Sequence, residues 1–196
     1  MTRRRSSLPD PPDDLSRFPV RAVATTTPLW RVHSAHHDAR WFCHDLECRF
    51  DLPDPNGTLY CAERPVGCLA EVFQGFTLVD EGAVRNRLLS RLRVPRRLRV
   101  ADCTSARARG FGCTGEIHAG SDYDRTQRWA RAFHAAGFDG IRYTLRSDPS
   151  LRLTGVAVFG PAGGFGGWVK PRPLPIPADV LREAQTRFGL RILPLP

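Results

Sequence analysis

The side chains equipped for chemistry gather early in the chain. Arg31 follows Trp30, Arg49 precedes Phe50, Tyr60 lies within Gly57-Thr58-Leu59-Tyr60-Cys61-Ala62, and Glu71 lies within Cys68-Leu69-Ala70-Glu71-Val72. Guanidinium groups grip phosphates through paired donors. An aromatic ring offers a face to a base or a cation, and a carboxylate can hold ribose hydroxyls or balance a developing positive charge. Together Arg31, Arg49, Tyr60 and Glu71 suit a dinucleotide with a cationic leaving group. A plainer account stands beside this one: Arg31 as a surface arginine next to a tryptophan, and Glu71 as a half-buried carboxylate with a structural partner.

Two other constellations are weaker. His33, His36, His37, Cys43, His44 and Cys48 crowd one stretch, but their spacing follows no tetrahedral zinc pattern and no Cys-x-x-Cys pair occurs. That stretch is read as a polar loop, with no metal. Residues 160–167 are glycine-rich but lack the Gly-Lys-Ser/Thr ending and the following helix of a phosphate loop, so they are read as a flexible turn.

The elements that must position the candidates come next. Residues 24–34 form a strand, with Pro28 at an edge or at its start. Alternation then puts Trp30 and Val32 on one face and Arg31 and His33 on the other. Residues 36–56 form a long loop of the kind that is often functional. A short strand over 58–62 leads through Pro65 to a helix over 66–73, with Glu71 near its apolar face. A second, more polar helix is expected over 81–92, a strand over 96–101, and a loop over 102–120. Asp122 caps a helix over 123–136, where Thr126, Trp129, Ala130 and Phe133 make a core-facing stripe and Gly137 ends it. Strands follow over 139–146 and 154–159, the second nearly all apolar and hence central. A helix over 178–188 and a strand over 190–193 close the chain. Strands and helices mix without βαβ alternation, so the class is α+β.

At 196 residues the chain is read as one domain over 20–196 behind a disordered tail over 1–19, which carries Arg3, Arg4 and Arg5. Apolar content of 41% and charged content of 25% are those of a soluble globular protein. No apolar run nears the roughly 20 residues that span a bilayer, and no signal peptide shows, so the expected location is the cytoplasm. The net charge of +9 comes almost entirely from scattered arginines, with Lys170 the only lysine, and nucleic acid is not favoured as a direct partner. The six cysteines are expected to be reduced.

An ordered series of short motifs then resembles a known family. Leu29-Trp30-Arg31-Val32-His33, Arg49-Phe50, Gly57-Thr58-Leu59-Tyr60-Cys61-Ala62 and Leu69-Ala70-Glu71-Val72 are followed by Tyr123-Asp124-Arg125-Thr126-Gln127-Arg128-Trp129-Ala130 and Gly137-Phe138-Asp139-Gly140-Ile141-Arg142-Tyr143. Over roughly residues 24–165 the chain resembles the RES domain, the toxin half of RES–Xre toxin–antitoxin pairs. The resemblance implies mixed sheets flanked by helices in an ADP-ribosyltransferase-like fold. It also implies an NAD+-degrading activity, commonly phosphorolysis with inorganic phosphate as co-substrate, which releases nicotinamide and ADP-ribose 1″-phosphate. Some relatives are thought to ADP-ribosylate a protein instead. By carry-over Arg31, Arg49, Tyr60 and Glu71 occupy active-site positions. The arginines would hold the NAD+ diphosphate or the attacking phosphate, Tyr60 would stack on nicotinamide or bond the ribose, and Glu71 would stabilise the sugar cation. An Xre-type helix-turn-helix antitoxin is the implied partner, and a homo-oligomer is allowed. One position departs from the family: its serine falls at Leu145, leaving Ser147 as the same-face hydroxyl to replace it. A non-catalytic module that binds NAD+ or a partner protein is the alternative this departure raises.

Overall fold

The computed structural model describes residues 8–164 and 167–194. Its main sheet is built from β1 (Val20–Val23), β2 (Leu29–Ser34), β4 (Asn56–Ala62), β6 (Arg87–Leu92), β7 (Leu98–Asp102), β8 (Gly140–Thr144), β9 (Thr154–Pro161) and β11 (Leu174–Pro175). They lie in the order β1-β7-β8-β9-β4-β2-β6-β11, antiparallel except for the parallel pair β7 and β8. β3 (Trp41–Phe42) pairs with β10 (Gly163–Gly164), and β5 (Leu78–Asp80) pairs in parallel with β12 (Arg191–Leu193). The helices are α1 (Pro65–Val72), α2 (Glu81–Arg85), α3 (Glu116–Ala119), α4 (Tyr123–Ala135) and α5 (Ala178–Phe188), with a 3₁₀ turn over Ala106–Phe111. The α+β class and the central place of β9 agree with the expectation.

Strand alternation divides the core in two. Ala62, Ala157, Phe159 and Ile141 face α1 and α4, while Leu59, Cys61, Val156 and Val158 pack with Phe42 of β3 and with Trp168. On β2, Trp30 and Val32 belong to the first core and Leu29 to the second, which leaves Arg31 on the Leu29 side.

α4 forms as its sequence predicts. The Asp122 carboxylate accepts from the Arg125 N–H, and Thr126, Trp129, Ala130 and Phe133 are buried. Gly137 takes φ +78 just past the last turn, where a side chain would be strained.

Two expectations are corrected. The helix expected over 81–92 is α2 followed by β6: Asp80 caps a single turn, Asn86 ends it, and residues 87–92 pair with β2 from Ser34↔Arg87 to Leu29↔Leu92. Sheet pairing overrides the helical propensity of Leu88, Leu89 and Leu92. The disordered tail over 1–19 is corrected for residues 8–19, which pack on α4. Leu8, Leu15 and Phe18 are buried, the Trp129 indole donates to the Pro9 carbonyl at 2.9 Å, and Arg125 donates to the Leu8 carbonyl at 2.9 Å. A few large apolar side chains suffice here, because the Trp129–Phe133 face supplies the rest of the core. Arg3, Arg4 and Arg5 lie outside the described residues, as do Phe165 and Gly166 of the glycine-rich segment.

Candidate active site

β2 and β4 pair at one position only, Trp30↔Ala62, whereas β4 pairs with β9 along its whole length. Beyond Trp30 the two strands part, and the sheet splits open. A cleft of about 280 Å³ occupies the split, with Arg31 and Val32 on one lip and Tyr60, Cys61 and Ala62 on the other. α1 crosses beside it. Pro65 opens that helix, where its fixed φ is already helical and its missing N–H leaves nothing unsatisfied. Cys68, Glu71 and Val72 then face the cleft while Leu69 and Phe73 enter the core.

Glu71 sits in the last turn of α1, at the negative end of the helix dipole, where a carboxylate is disfavoured. Burial pushes its carboxyl above the usual range, partly offset by the nearby Arg49 guanidinium, by a hydrogen bond from Tyr143 and by Arg146. The Tyr143 hydroxyl donates to Glu71 Oε2 at 3.3 Å. A half-buried carboxylate held against both its solvation and its helix is poorly explained by stability alone.

Arg49 is 8% exposed, and burial lowers its proton affinity. One of its nitrogens donates to the Gly120 carbonyl at 2.6 Å, and its guanidinium lies 5.1 Å from the centre of the Tyr123 ring. Thr126 fixes the segment by donating to the Arg49 carbonyl at 2.6 Å. Arg31 donates to the carbonyls of Trp41 at 2.6 Å and Ala39 at 3.3 Å, so it braces the segment at residues 39–41 while lining the cleft.

Tyr60 presents its ring to the cleft but not a free hydroxyl. The hydroxyl donates to Asp51 at 2.8 Å and accepts from the Phe50 N–H at 2.8 Å. Burial, then the Asp51 charge, holds the phenol protonated. Stacking is therefore the role open to Tyr60, and a direct bond to a ribose is not.

Arg31, Arg49, Tyr60 and Glu71 thus line one cleft, and Ser147 does not. Ser147 lines a second cavity on the far side of α1, because Asp148 turns the chain away directly after Arg146. Leu145 is fully buried, faces Gly67 on α1 and Gly155 on β9, and lies outside the cleft lining.

Several cleft residues were not picked out from the sequence. Tyr123 and Tyr143 fall inside the motifs that carry the resemblance, so a signal for them existed. Arg146 and His118 had none. His118 Nδ1 accepts from the Thr144 N–H at 3.3 Å, and burial lowers the ring to about 4, so it is neutral near pH 7. Among the described residues no group of three or more His, Cys, Asp or Glu side chains is placed to hold a metal ion, and no helix is long and apolar enough to cross a membrane. All six cysteines are free.

The fold is similar to a chain in the crystal structure of the M. tuberculosis MbcT–MbcA toxin–antitoxin complex, with a TM-score of 0.57 at 18% identity over 80% of this chain and 88% of that one. No curated protein sequence matches the chain. The model of the RES domain matches residues 28–171, a span that holds the split strands, α1 and every residue of the cleft, and the chain belongs to the RES domain family.

Proposed function

We propose that the protein cleaves the nicotinamide–ribose bond of NAD+ with inorganic phosphate as acceptor, giving nicotinamide and ADP-ribose 1″-phosphate. The observation that carries this is the desolvated Glu71 carboxylate, set in one cleft with two arginines and an aromatic ring.

As the bond breaks, the ring nitrogen keeps its electron pair and nicotinamide departs neutral, so no general acid is required. Positive charge grows on the ribose, as in glycoside cleavage. Glu71 balances that charge from a site where water screens it little. The Tyr60 ring is the face against which nicotinamide stacks. Arg49 and Arg31 offer their remaining donors to phosphate oxygens. A phosphate oxygen supplies the pair for the new bond to C1″, and the proton of monohydrogen phosphate passes to solvent.

Leu145, at the position of the family's serine, favours a second reading, a module that binds NAD+ without turnover. Its burial away from the cleft weakens that alternative, since the substitution puts no apolar group on the substrate. For a growth-arresting enzyme a neutralising partner follows, and the structural neighbour comes from a toxin–antitoxin complex. An Xre-type helix-turn-helix antitoxin is the partner proposed.

The test is nicotinamide release from NAD+ by purified protein, with and without phosphate, beside Glu71→Gln. Phosphate-dependent release that disappears in the variant is the expected result. Release indifferent to phosphate would move the acceptor to water or a protein, and NAD+ binding with no release would establish the binding module.

A further inference from the structure

The cleft at Glu71, at about 280 Å³, lies below the ~300–1,000 Å³ of pockets that enclose drug-sized ligands. A dinucleotide with two bases, two riboses and two phosphates does not fit inside it. A second cavity of about 470 Å³ adjoins it around the C-terminal end of α1. Gln74 and Arg146 line both spaces. Arg146 Nε donates to Gln74 Oε1 at 3.0 Å, so the pair forms a sill between them.

The second cavity has a different character from the first. Leu69, Phe73, Phe188 and Leu190 make its floor, and Phe76 stands at its edge 68% exposed, an aromatic ring held in water with little cover. Ser147 and Thr77 are its hydroxyl side chains. Arg31 and Arg49 each spend a nitrogen on backbone carbonyls. Among the described residues the terminal nitrogens of Arg146 make no hydrogen bond or ion pair, and its charge is felt by both Glu71 and Arg49. An apolar hollow with an aromatic rim, entered over an arginine, is the chemistry that receives a purine nucleoside joined to a phosphate.

We propose that the second cavity binds the adenosine half of the dinucleotide, with Arg146 holding the diphosphate over the sill and Phe76 stacking on the base. The assignment rests on the proposed NAD+ cleavage for its ligand. It gives Ser147 a place on the substrate, though at the adenosine end rather than beside Glu71.

The test separates the cavity from the chemistry by using ADP-ribose, which lacks the scissile bond, in a calorimetric titration. Phe76→Ala and Arg146→Gln should each weaken ADP-ribose binding about tenfold, the effect of losing one base stack or one charged contact. Phe76→Tyr should retain binding. In turnover, the preference for NAD+ over nicotinamide mononucleotide should fall about tenfold in Phe76→Ala. Wild-type protein that binds no ADP-ribose, or Phe76→Ala binding it as well as wild type, would overturn the proposal. So would a selective loss of ADP-ribose binding in Trp41→Ala, which would put the base on the other exposed aromatic near the cleft. ADP-ribose binding that depends on Phe76, without nicotinamide release from NAD+, would uphold the cavity and sink the proposed reaction alone.

Discussion

Asp148 gives the sharpest test of how the loop after β8 is held. Its side chain is 1% exposed. One oxygen accepts from the Ser150 hydroxyl at 2.7 Å, and the other from the N–H groups of Arg152 at 2.9 Å and Leu153 at 2.8 Å and from Arg187 at 3.2 Å. Burial pushes the carboxyl up, but these donors together pull it from 3.8 down to about 2. At 1.36 kcal/mol for each tenfold change in proton affinity, that depression is worth about 2.5 kcal/mol. Asp148→Asn keeps the shape, removes the charge and turns an amide N–H₂ toward one set of donors. The variant should therefore lose about 2.5 kcal/mol at pH 7, a fall in Tm of about 5–10 °C for a domain of this size. The sign with pH follows from the depressed carboxyl: the stabilisation is complete above the unfolded value near 4 and is lost as pH falls toward 2. Thermal unfolding followed by circular dichroism at pH 7, 5, 4 and 3 checks both statements. A variant that melts with wild type at pH 7, or a deficit that stays constant down to pH 3, would refute the assignment.

Glu71→Gln should lower the rate of nicotinamide release by about 10²–10³, the usual loss when a stabilising group for transition-state charge is removed. Its melting temperature at pH 7 should equal or exceed that of wild type, because burial disfavours the charge that the variant deletes. For the same reason the acid limb of the wild-type pH–rate profile should fall above the ordinary glutamate value of 4.5, since activity needs Glu71 ionised and burial raises its carboxyl. Leu145→Ser, which restores the family's serine, should destabilise the fold by about 3–5 kcal/mol without raising kcat, as it empties core space between Gly67 and Gly155; a gain in kcat would show that the serine acts in the reaction. Tyr60→Phe should cost about 1–3 kcal/mol of stability, measured by urea denaturation, because Asp51 and the Phe50 N–H lose their shared partner.

What the sequence discloses here depends on the range of the interaction concerned. α4 was legible because each of its determinants is local: the Asp122 cap, the stripe from Thr126 to Phe133 and the glycine beyond the last turn. β6 was not, because Leu88 and Leu89 suit a helix equally well, and only pairing with β2 makes them a strand. Residues 8–19 failed for a related reason: a short polar-looking window does not reveal that α4 offers it a tryptophan and a phenylalanine to cover.

The cleft shows the same division more finely. Arg31, Arg49, Tyr60 and Glu71 were nameable by type and motif, but their meeting depends on a strand register that breaks after Trp30↔Ala62. No local pattern encodes that break, since it arises from how far β2 can follow β6 on one side and β4 on the other. Register also explains the displacement of Ser147. Alternation put it on the face of Leu145, but β8 ends at Thr144, so alternation no longer governs a side chain three residues later. Asp148 governs it instead. That carboxylate turns the chain so that Arg146 meets Gln74 at the mouth of the cleft and Ser147 falls into the neighbouring cavity. The passage from the Glu71 cleft to the neighbouring cavity is thus shaped by a residue that lines neither space.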